Sequence, residues 1–477
     1  MDVDLFIDPT HPRRTSAMLF EQIRDAVMSA RLAPGDRLPT SRALAVELGV
    51  ARSTVATVYA RLIGEGFVVA RIGDGTFVAH HPATTGGTRR RGTAATSLAA
   101  RRVVPRTPHV EPTADVRIDL RTGRADPRLF PLVDWRRCVT GVLHTPPPGY
   151  GNPVGLPALR TALSTWVQRS RGVVAHPEQV LVTAGAQQAF DLFARVLLAP
   201  GDTIAVEDPG YGPARRVFEH NGLRVVPVPV DSDGIVVDEI PSAARAVYVT
   251  PSHQLPTGVT MTAARRRALL ALAQRRNLAI IEDDYDTEYR HVDRPLEPIQ
   301  MLDTSGRVLY VGTFSKTLAP SLRLGFAIVP EPLLDALTQA RALVDTQPPH
   351  LTQAALATFV SGGHLDRHLR RTRRVYGPRH DLVREHVAGL HADGLIPPPP
   401  QSNAGLHQMV HLHPGTEAAT IAARLAERGI AIDTTSDNWI TPHHDGLIIG
   451  FGLADLDQLA IALPLLRAEL EVAPHTR

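Results

Sequence analysis

The chain has 477 residues, of which 43% are hydrophobic and 21% charged, and its formal net charge is +3. This is the composition of a globular protein of about three domains, and the small charge excludes a chain-wide basic field, so any surface for nucleic acid must be local. One cysteine, Cys138, excludes an intramolecular disulfide and a multi-cysteine metal site. No apolar signal core opens the chain, and no apolar run reaches the ~18 residues of a membrane span. We therefore predict a cytoplasmic protein without a membrane partner.

Residues from about 16 to 78 predict a small helical module that ends in a hairpin. Apolar residues at helical spacing predict its first helix: Leu19, Ile23, Ala26 and Ala30. A Pro-Gly-Asp turn then ends this helix, Thr40 and Ser41 are candidate caps of a second helix, and a third begins near Arg52 or Ser53. Residues 67–78 alternate around a Gly-Asp-Gly turn, which is typical of two antiparallel strands.

The third predicted helix has an apolar face and a short, polar, partly basic face. Its apolar face consists of Val55, Val58, Tyr59 and Leu62. Helix, turn, helix and hairpin make a winged helix-turn-helix, whose third helix enters the major groove of DNA. The alternatives are a helical domain with solvated arginines and a module that binds protein. Agreement between turns, helix faces and hairpin favours DNA.

The segments PGDRLPTSRALAVELGVARSTVATVYARLIGEGFV and GDGTFV resemble the N-terminal domain of the GntR family of bacterial regulators. This resemblance implies that the module binds operator DNA through a small set of residues. The implied contacts are Arg42, Arg52, Ser53, Thr54 and Thr57, with Gly73 of the wing near the DNA backbone.

The chain changes character after this module. Residues 81–116 are rich in Thr, Pro, Gly and Arg and have little periodicity, which is typical of a flexible linker. We therefore predict a winged helix-turn-helix domain at residues 1–80, a linker at 81–116 and a third region at 117–477.

In the third region, short apolar runs alternate with helical stretches, which predicts an α/β domain. Five apolar runs end in polar or glycine-rich segments. These segments are AGAQQ after residues 180–183, EDPGY after 204–206, TPSHQLPTG after 247–249, EDDYD after 279–281 and GTFSK after 308–311. Polar groups at strand ends are the usual ligand edge of an open α/β sheet.

Lys316, in the last of these segments, is the only lysine among the 51 lysines and arginines of the chain. A primary amine condenses with an aldehyde to form an imine, whereas arginine stays protonated and unreactive. Thr313 and Ser315 precede the lysine, and Arg323 follows it closely enough to bind a phosphate held by the same loop. An aldehyde that carries a phosphate is pyridoxal phosphate (PLP). Taken alone, the S-K-x(3)-P-x-x-R-x-G pattern also fits a surface loop that kept one lysine by chance.

Other motifs decide between these interpretations. In order, YGNPVGL, TAGAQQAF, EDPGY, TPSHQLPTG, IIEDDYD and GTFSKTLAPSLRLGF resemble the fold type I aminotransferases of classes I and II, over residues from about 119 to 466. Joined to the winged helix, this region resembles the MocR subfamily of GntR regulators. The resemblance implies a PLP-binding, aminotransferase-like domain with a large, mixed, mostly parallel sheet and a small C-terminal α/β domain.

The same resemblance implies roles for individual residues. Lys316 would bond to the cofactor's aldehyde, and Asp283 would pair with the pyridinium nitrogen and keep it protonated. Tyr285 would hydrogen-bond the ring hydroxyl, and Tyr211 would stack on the ring. The implied phosphate contacts are the amides of Ala186 and Gln187, the side chains of Thr313, Ser315 and Arg323, and Tyr150 reaching the partner's phosphate across a homodimer.

Two departures from the aminotransferase pattern bear on function. The asparagine that these enzymes place just before the Pro-Thr-Gly turn is Leu255 here, and His253 is a candidate to compensate as a cofactor contact. The arginine that clamps the substrate carboxylate near the C-terminus is missing, because no arginine lies between Arg428 and Arg467. Without this clamp an amino acid loses the orientation that transamination requires.

A group of histidines raises the question of a metal site. His407, His411 and His413 alternate along a predicted strand. No carboxylate or cysteine accompanies them at ligand spacing, so we predict no metal.

These observations predict a transcriptional regulator that senses PLP, or PLP joined to an amino compound, and has weak or no transaminase activity. One alternative is a working aminotransferase with a DNA-binding appendage. Another is a dimerisation scaffold without a cofactor. The resemblance leaves vitamin B6 metabolism and amino-acid or amine metabolism open as the regulated process.

Overall fold

The computed structural model describes residues 15–71, 73–79, 116–146, 148–290, 297–400, 402, 404–441 and 445–473. The chain divides into two compact units, Met1–Arg101 and Arg102–Arg477. The predicted linker at 81–116 lies outside the described residues except for its last residue, so the domain boundaries at 80 and 116 stay a prediction.

The first unit contains three helices and a small antiparallel sheet among its described residues. Its elements are α1 (Thr15–Met28), β1 (Arg37–Leu38), α2 (Ser41–Glu47), α3 (Arg52–Gly64), β2 (Val68–Arg71) and β3 (Gly75–Val78). Strand β3 lies between β1 and β2 and is antiparallel to both. The predicted winged helix-turn-helix is therefore the fold of this unit.

Local chemistry explains where these elements begin and end. The Thr40 hydroxyl accepts a hydrogen bond from the Ala43 amide at 3.2 Å, so Thr40 caps α2 as predicted. The predicted apolar face of α3 is buried in the core of the unit. Helix α1 ends at Met28, before the predicted Ala30, whose φ of 58° is left-handed and cannot continue a right-handed helix. The two-residue strand β1 is too short for periodicity to predict.

The second unit is built around a large mixed sheet. Its strands are β5 (Val180–Thr183), β6 (Thr203–Asp208), β7 (Arg224–Asp231), β8 (Gly234–Ile235), β9 (Ala244–Val249), β10 (Ala279–Asp284), β11 (Val308–Thr313) and β12 (Gly325–Ile328). Their order is β5-β12-β11-β10-β9-β6-β7-β8. Strand β12 is antiparallel to β5 and β11, β8 is antiparallel to β7, and the other pairs are parallel. Most of these strands are short apolar runs that are buried throughout, as a sheet covered on both faces requires.

A second, four-stranded sheet forms the small C-terminal domain among the described residues. Its strands are β4 (Ile118–Leu120), β13 (His407–His411), β14 (Ile430–Thr434) and β15 (Gly446–Gly450), in the order β13-β15-β14-β4. Strand β4 comes directly after the predicted linker and pairs in parallel with β14. The start of this unit is therefore held by its C-terminal part.

Helices cover both sheets. They are α4 (Leu132–Leu143), α5 (Pro157–Arg171), α6 (Ala186–Leu197), α7 (Gly212–His220), α8 (Ala263–Arg276), α9 (Ile299–Leu302), α10 (Leu334–Asp345), α11 (His350–Ser361), α12 (His364–Ala392), α13 (Ala418–Glu427) and α14 (Leu456–Glu471). The predicted large mixed sheet with a small C-terminal α/β domain is confirmed. In the described part of the chain, no helix is long and apolar enough to cross a membrane.

Candidate functional site

The polar segments predicted at strand ends meet at one edge of the large sheet. Strands β6, β9, β10 and β11 are parallel, and β5 runs in the same direction because both β5 and β11 are antiparallel to β12. Their carboxyl ends therefore lie along the same edge, which is where open α/β sheets bind ligands.

Lys316 follows β11 at this edge and is half-buried. Its Nζ donates a hydrogen bond to the Gly123 carbonyl at 2.7 Å. Burial lowers the pKa of the Lys316 amine, and the charges of Asp286 and Asp283 oppose this effect. A lower pKa increases the fraction of neutral amine, which is the form that attacks an aldehyde.

Asp283 lies in β10, opposite Val311 of β11, and is buried. Its Oδ2 accepts a hydrogen bond from the Tyr248 hydroxyl at 2.6 Å. Its Oδ1 is buried without a partner among the described residues. Burial raises the pKa of Asp283 to about 7. A buried carboxylate oxygen without a donor is costly, so this atom is suited to a donor supplied by a ligand.

An anion cradle lies where α6 begins. Gly185 precedes α6 with φ +88°, and no side chain caps the helix, so the first amides, those of Ala186 and Gln187, are free to bind an anion. The Arg323 guanidinium donates to the Ala184 carbonyl beside them. A Cβ at Gly185 would lie 3.1 Å from Arg323 Nη2, so glycine lets the guanidinium approach the helix end.

Hydroxyl groups and an aromatic ring complete this part of the site. Thr313 Oγ1 donates to Ser315 Oγ at 3.0 Å, which brings both hydroxyls together just before Lys316. Tyr211 is half-buried between β6 and α7, and burial and the charge of Asp283 raise its pKa. Gln187 Nε2 is buried without a partner among the described residues.

The predicted DNA contacts lie on the exposed surface of the first unit. Arg42, Arg52, Ser53 and Thr57 are exposed, and Thr54 is half-buried. Thr57 Oγ1 donates to the Ser53 carbonyl at 2.9 Å, so this hydroxyl is partly used within α3. Gly73, at φ +80°, has open space around its Cβ position, as a wing tip near DNA requires. Arg42 and Arg52 pair with no carboxylate of the described residues, whereas Arg61 pairs with Glu65 at 2.8 Å.

Comparisons with known proteins cover both units. Residues 147–440 match the family "Aminotransferase class I and II", and residues 15–78 match "Bacterial regulatory proteins, gntR family". The Rhizobium meliloti protein "Probable rhizopine catabolism regulatory protein MocR" is 36% identical over 92% of this chain and 90% of its own length. The Corynebacterium glutamicum "HTH-type pyridoxine biosynthesis transcriptional regulator PdxR" is 33% identical over 96% of each chain. The chain belongs to the MocR subfamily of GntR-type transcriptional regulators.

The aminotransferase-like domain of this MocR-type regulator also resembles solved enzymes. The crystal structure of Pyrococcus horikoshii kynurenine aminotransferase in complex with PMP matches it with a TM-score of 0.69 at 28% identity, over 75% of this chain and 91% of the enzyme. The fold therefore implies pyridoxal phosphate as cofactor. The residues present fit it, because an amine, an unpaired buried carboxylate oxygen and an uncapped helix start beside an arginine lie at one sheet edge.

Two further residues predicted to contact the cofactor, Tyr150 and Tyr285, differ in how exposed they are. Tyr150 is 92% exposed, and a contact with a partner subunit requires such exposure. Tyr285 is half-buried, and its hydroxyl lies 3.1 Å from His253 Nδ1. His253 is only 1% exposed, so it is held inside the fold and is not a solvated loop residue.

His253 belongs to a cluster that sequence analysis missed. Possible ligand atoms of His253, Asp286 and His407 lie within 4.8 Å of one another. Hydrogen bonds already engage these atoms, since His253 Nδ1 lies 2.9 Å from Asp286 Oδ2 and His407 Nε2 lies 3.1 Å from the Pro256 carbonyl. Because β13 is far along the chain from β9 and β10, no local pattern could predict the cluster. Asp286 alone carried a signal, as the last residue of the IIEDDYD motif.

Three other residues near the predicted contacts were also missed. Tyr248 occupies an apolar strand, where a buried tyrosine needs a hydrogen-bond partner and finds it in Asp283. The guanidinium groups of Arg37 and Arg71 lie 6.0 and 4.7 Å from the centre of the Phe77 ring in the wing. Both arginines are exposed, so the wing of this MocR-type regulator carries positive charge on both sides of that ring.

Proposed function

We propose that this protein is a transcriptional regulator in which PLP, or PLP joined to an amino compound, changes how the winged helices bind operator DNA. One observation carries the proposal: the chain that presents the exposed, basic start of α3 also has Lys316 and Asp283 at a strand-end cofactor site. The names of the two relatives, which refer to pyridoxine biosynthesis and rhizopine catabolism, support vitamin B6 or an amino compound as the chemistry of the effector.

The side chains have separate tasks in this proposal. When bound, PLP supplies an aldehyde and an electron-withdrawing ring. Lys316 holds the aldehyde, and Asp283 keeps the proton on the ring nitrogen through its unpaired Oδ1. Tyr211 would stack on the ring, and Tyr285, whose hydroxyl contacts His253, would hydrogen-bond the ring hydroxyl. The phosphate is held by the amides of Ala186 and Gln187 together with Thr313, Ser315 and Arg323.

A working aminotransferase is the second candidate, because Lys316 and Asp283 are in place and the fold matches solved aminotransferases. The missing carboxylate clamp argues against it. No arginine lies between Arg428 and Arg467, and β15 presents only apolar side chains between its terminal glycines. An amino acid bound without a bidentate partner for its carboxylate is poorly oriented for proton transfer.

A homodimer is part of the proposal. Helix α4 exposes three apolar side chains: Leu132, Val133 and Leu143. An exposed apolar patch on a globular protein is typical of a protein interface, and Tyr150 is exposed as a contact to the partner's phosphate requires. Two winged helices on one dimer match the two half-sites of a palindromic operator. A regulator of this kind acts on the bacterial chromosome, which places it in the cytoplasm.

The proposal is tested by binding of the purified protein to its own upstream DNA, measured by fluorescence anisotropy with and without PLP. An absorbance spectrum taken on the same samples shows whether PLP is bound to the lysine. We expect a lysine-dependent band and a PLP-dependent change in DNA affinity. Sustained turnover of amino acids with 2-oxoacids at ordinary enzyme rates would instead establish the aminotransferase.

A further inference from the structure

A buried chain of polar side chains lies behind Tyr285. His253 Nδ1 is 3.1 Å from the Tyr285 hydroxyl and 2.9 Å from Asp286 Oδ2. On the other side of the ring, His253 Nε2 is 3.1 Å from Ser402 Oγ, which also lies 3.2 Å from the Ala404 carbonyl. His253, Asp286 and Ser402 are all buried, so water does not compete for these contacts. This arrangement joins β9, β10 and the segment before β13 at one imidazole.

The positions of the hydrogens determine which atom donates in the hydrogen bond between His253 Nδ1 and the Tyr285 hydroxyl. A carboxylate only accepts hydrogen bonds, so the Nδ1 that faces Asp286 must carry a hydrogen. The same N–H faces the Tyr285 oxygen, which therefore accepts rather than donates at this contact. The phenol keeps its own hydrogen for another acceptor, and among the described residues His253 is the only hydrogen-bond partner of this hydroxyl. Tyr285 is thus left with a free donor.

The packing around the imidazole fixes its orientation. A Cβ at Gly405 would lie 2.0 Å from His253 Cε1, and a Cβ at Gly258 would lie 2.6 Å from Ser402 Oγ. Both glycines have φ +78°, a conformation that other residues rarely adopt. The His407 ring packs on His253 with 4.6 Å between ring centroids. Burial lowers the pKa of His407 to about 3, so this neighbour is neutral.

We propose that His253, held by Asp286, is a positioning residue that turns the Tyr285 hydroxyl so that it donates to the ring hydroxyl of the cofactor. It acts through Tyr285, beside a loop position where Leu255 offers no hydrogen-bonding side chain. The inference rests on the proposed binding of PLP. Its consequence is that the imidazole and the carboxylate together set the pH at which the bound cofactor changes its absorbance. Asp283, Asp284, Glu207 and Lys316 also act electrostatically on this region, and His380 Nε2 lies 3.4 Å from the Ser402 carbonyl. All five groups are the same in every variant below.

The test is a pH titration of the absorbance of the PLP-loaded protein. Glutamine at position 253 places its amide near the Nε2 position and leaves Tyr285 without a donor, whereas asparagine keeps a donor near the Nδ1 position. We expect His253→Gln and Asp286→Asn to move the spectral midpoint by about one pH unit and to weaken PLP binding about tenfold, the effect of one hydrogen bond to a charged group. His253→Asn should stay close to the wild-type midpoint. His407→Gln is the matched control, because it makes the same change in the neighbouring buried histidine, which does not contact Tyr285.

Tyr285→Phe separates positioning from packing. If His253 acts through Tyr285, then His253→Gln should cause no further shift of the midpoint in the Tyr285→Phe background. Equal shifts in His253→Gln, His253→Asn and His407→Gln would show that only packing matters and would overturn the inference. An unshifted midpoint in His253→Gln and Asp286→Asn would also overturn the inference. The absorbance band of these variants would still show that PLP binds, so the proposed function would stand. A wild-type protein without any band would remove the proposed function and this inference with it.

Discussion

Replacing Asp283 by asparagine should change cofactor affinity and the stability of the cofactor-free protein in opposite directions. The two side chains have the same size, and the asparagine carbonyl can still accept the hydrogen bond that the Tyr248 hydroxyl donates at 2.6 Å. What changes is the second atom of the group, where a buried and unpaired carboxylate oxygen becomes an amide nitrogen. The cofactor loses its partner for the ring nitrogen, and the empty site loses a buried charge.

The magnitude follows from the raised pKa of Asp283, which burial moves from the usual carboxyl range to about 7. Because the folded-state pKa lies above the unfolded one, this carboxyl costs nothing below about pH 4, where it is protonated in both states. The cost grows as the pH rises and reaches about 4 kcal/mol above pH 7. An unpaired amide in Asp283→Asn costs about 1–3 kcal/mol at any pH. The cofactor-free variant should therefore gain about 1–3 kcal/mol at pH 8 and lose this advantage towards pH 4.

Cofactor binding should show the reverse effect. A hydrogen bond between charged groups contributes about 1.5–3 kcal/mol, so Asp283→Asn should bind PLP roughly 10- to 150-fold more weakly. Affinity is measured by titration of the absorbance band, and stability by denaturant unfolding at pH 8 and pH 5. All three tryptophans, Trp135, Trp166 and Trp439, lie in the second unit, so their fluorescence reports on the domain that holds Asp283.

Glu282→Gln is the matched control for Asp283→Asn. Glu282 precedes Asp283 in β10, it is buried, and burial raises its pKa to about 7 as well. Its two oxygens accept from the Ile299 and Gln300 amides, so it has no free atom for a ligand. This variant should change stability and leave PLP affinity within about threefold. Unchanged PLP affinity in Asp283→Asn, or an equal loss in both variants, would refute the assignment of Asp283 Oδ1 to the ring nitrogen.

Three further substitutions test the other parts of the proposal. Lys316→Ala should abolish the absorbance band of bound PLP while the far-ultraviolet circular dichroism stays unchanged. Lys316→Arg should have the same effect because a guanidinium forms no imine. A band that survives in either variant would contradict the assignment of Lys316. Arg52→Ala should weaken binding to operator DNA about tenfold without changing PLP affinity; if Arg24→Ala, on α1, weakens it equally, Arg52 has no special role. Arg323→Met should weaken PLP binding but leave pyridoxal binding nearly unchanged, since only PLP carries the phosphate; equal losses for both ligands would exclude a phosphate contact.

Local patterns predicted much of the fold and part of the candidate site. The apolar face of α3, the cap at Thr40 and the strand that leads to Lys316 follow from residues close together in the chain, where helical and strand periodicity act. The strand-end motifs predicted the ligand edge because parallel strands bring their carboxyl ends together. Asp283 and Lys316 were predicted in this way, as members of motifs and not as isolated residues.

The remaining features depend on contacts between distant segments. Strand β4 pairs with β14, which lies near the other end of the domain's sequence. The Gly123 carbonyl accepts a hydrogen bond from Lys316, and no motif in either segment predicts this contact. His253 appeared to be an ordinary loop histidine, because its partners Asp286 and Ser402 come from elements that only the folded chain brings together. Helical and strand periodicity cannot predict contacts between residues that are far apart in the sequence. A polar residue in a loop is usually solvated, so no local pattern indicated that His253 is buried.

The candidate site has side chains suited to holding a cofactor, but it lacks an arginine in the C-terminal region that would orient a substrate carboxylate. A ligand shifts a conformational equilibrium only through its different affinity for the two states, so a sensor needs strong and specific binding groups. In the proposed function Lys316, Asp283 and Arg323 would supply these groups, while an enzyme would also need a fixed partner for the substrate carboxylate. Lys316 contacts Gly123, which lies a few residues beyond the end of the predicted linker. The candidate cofactor site is therefore close, along the chain, to the predicted linker that leads to the winged helix.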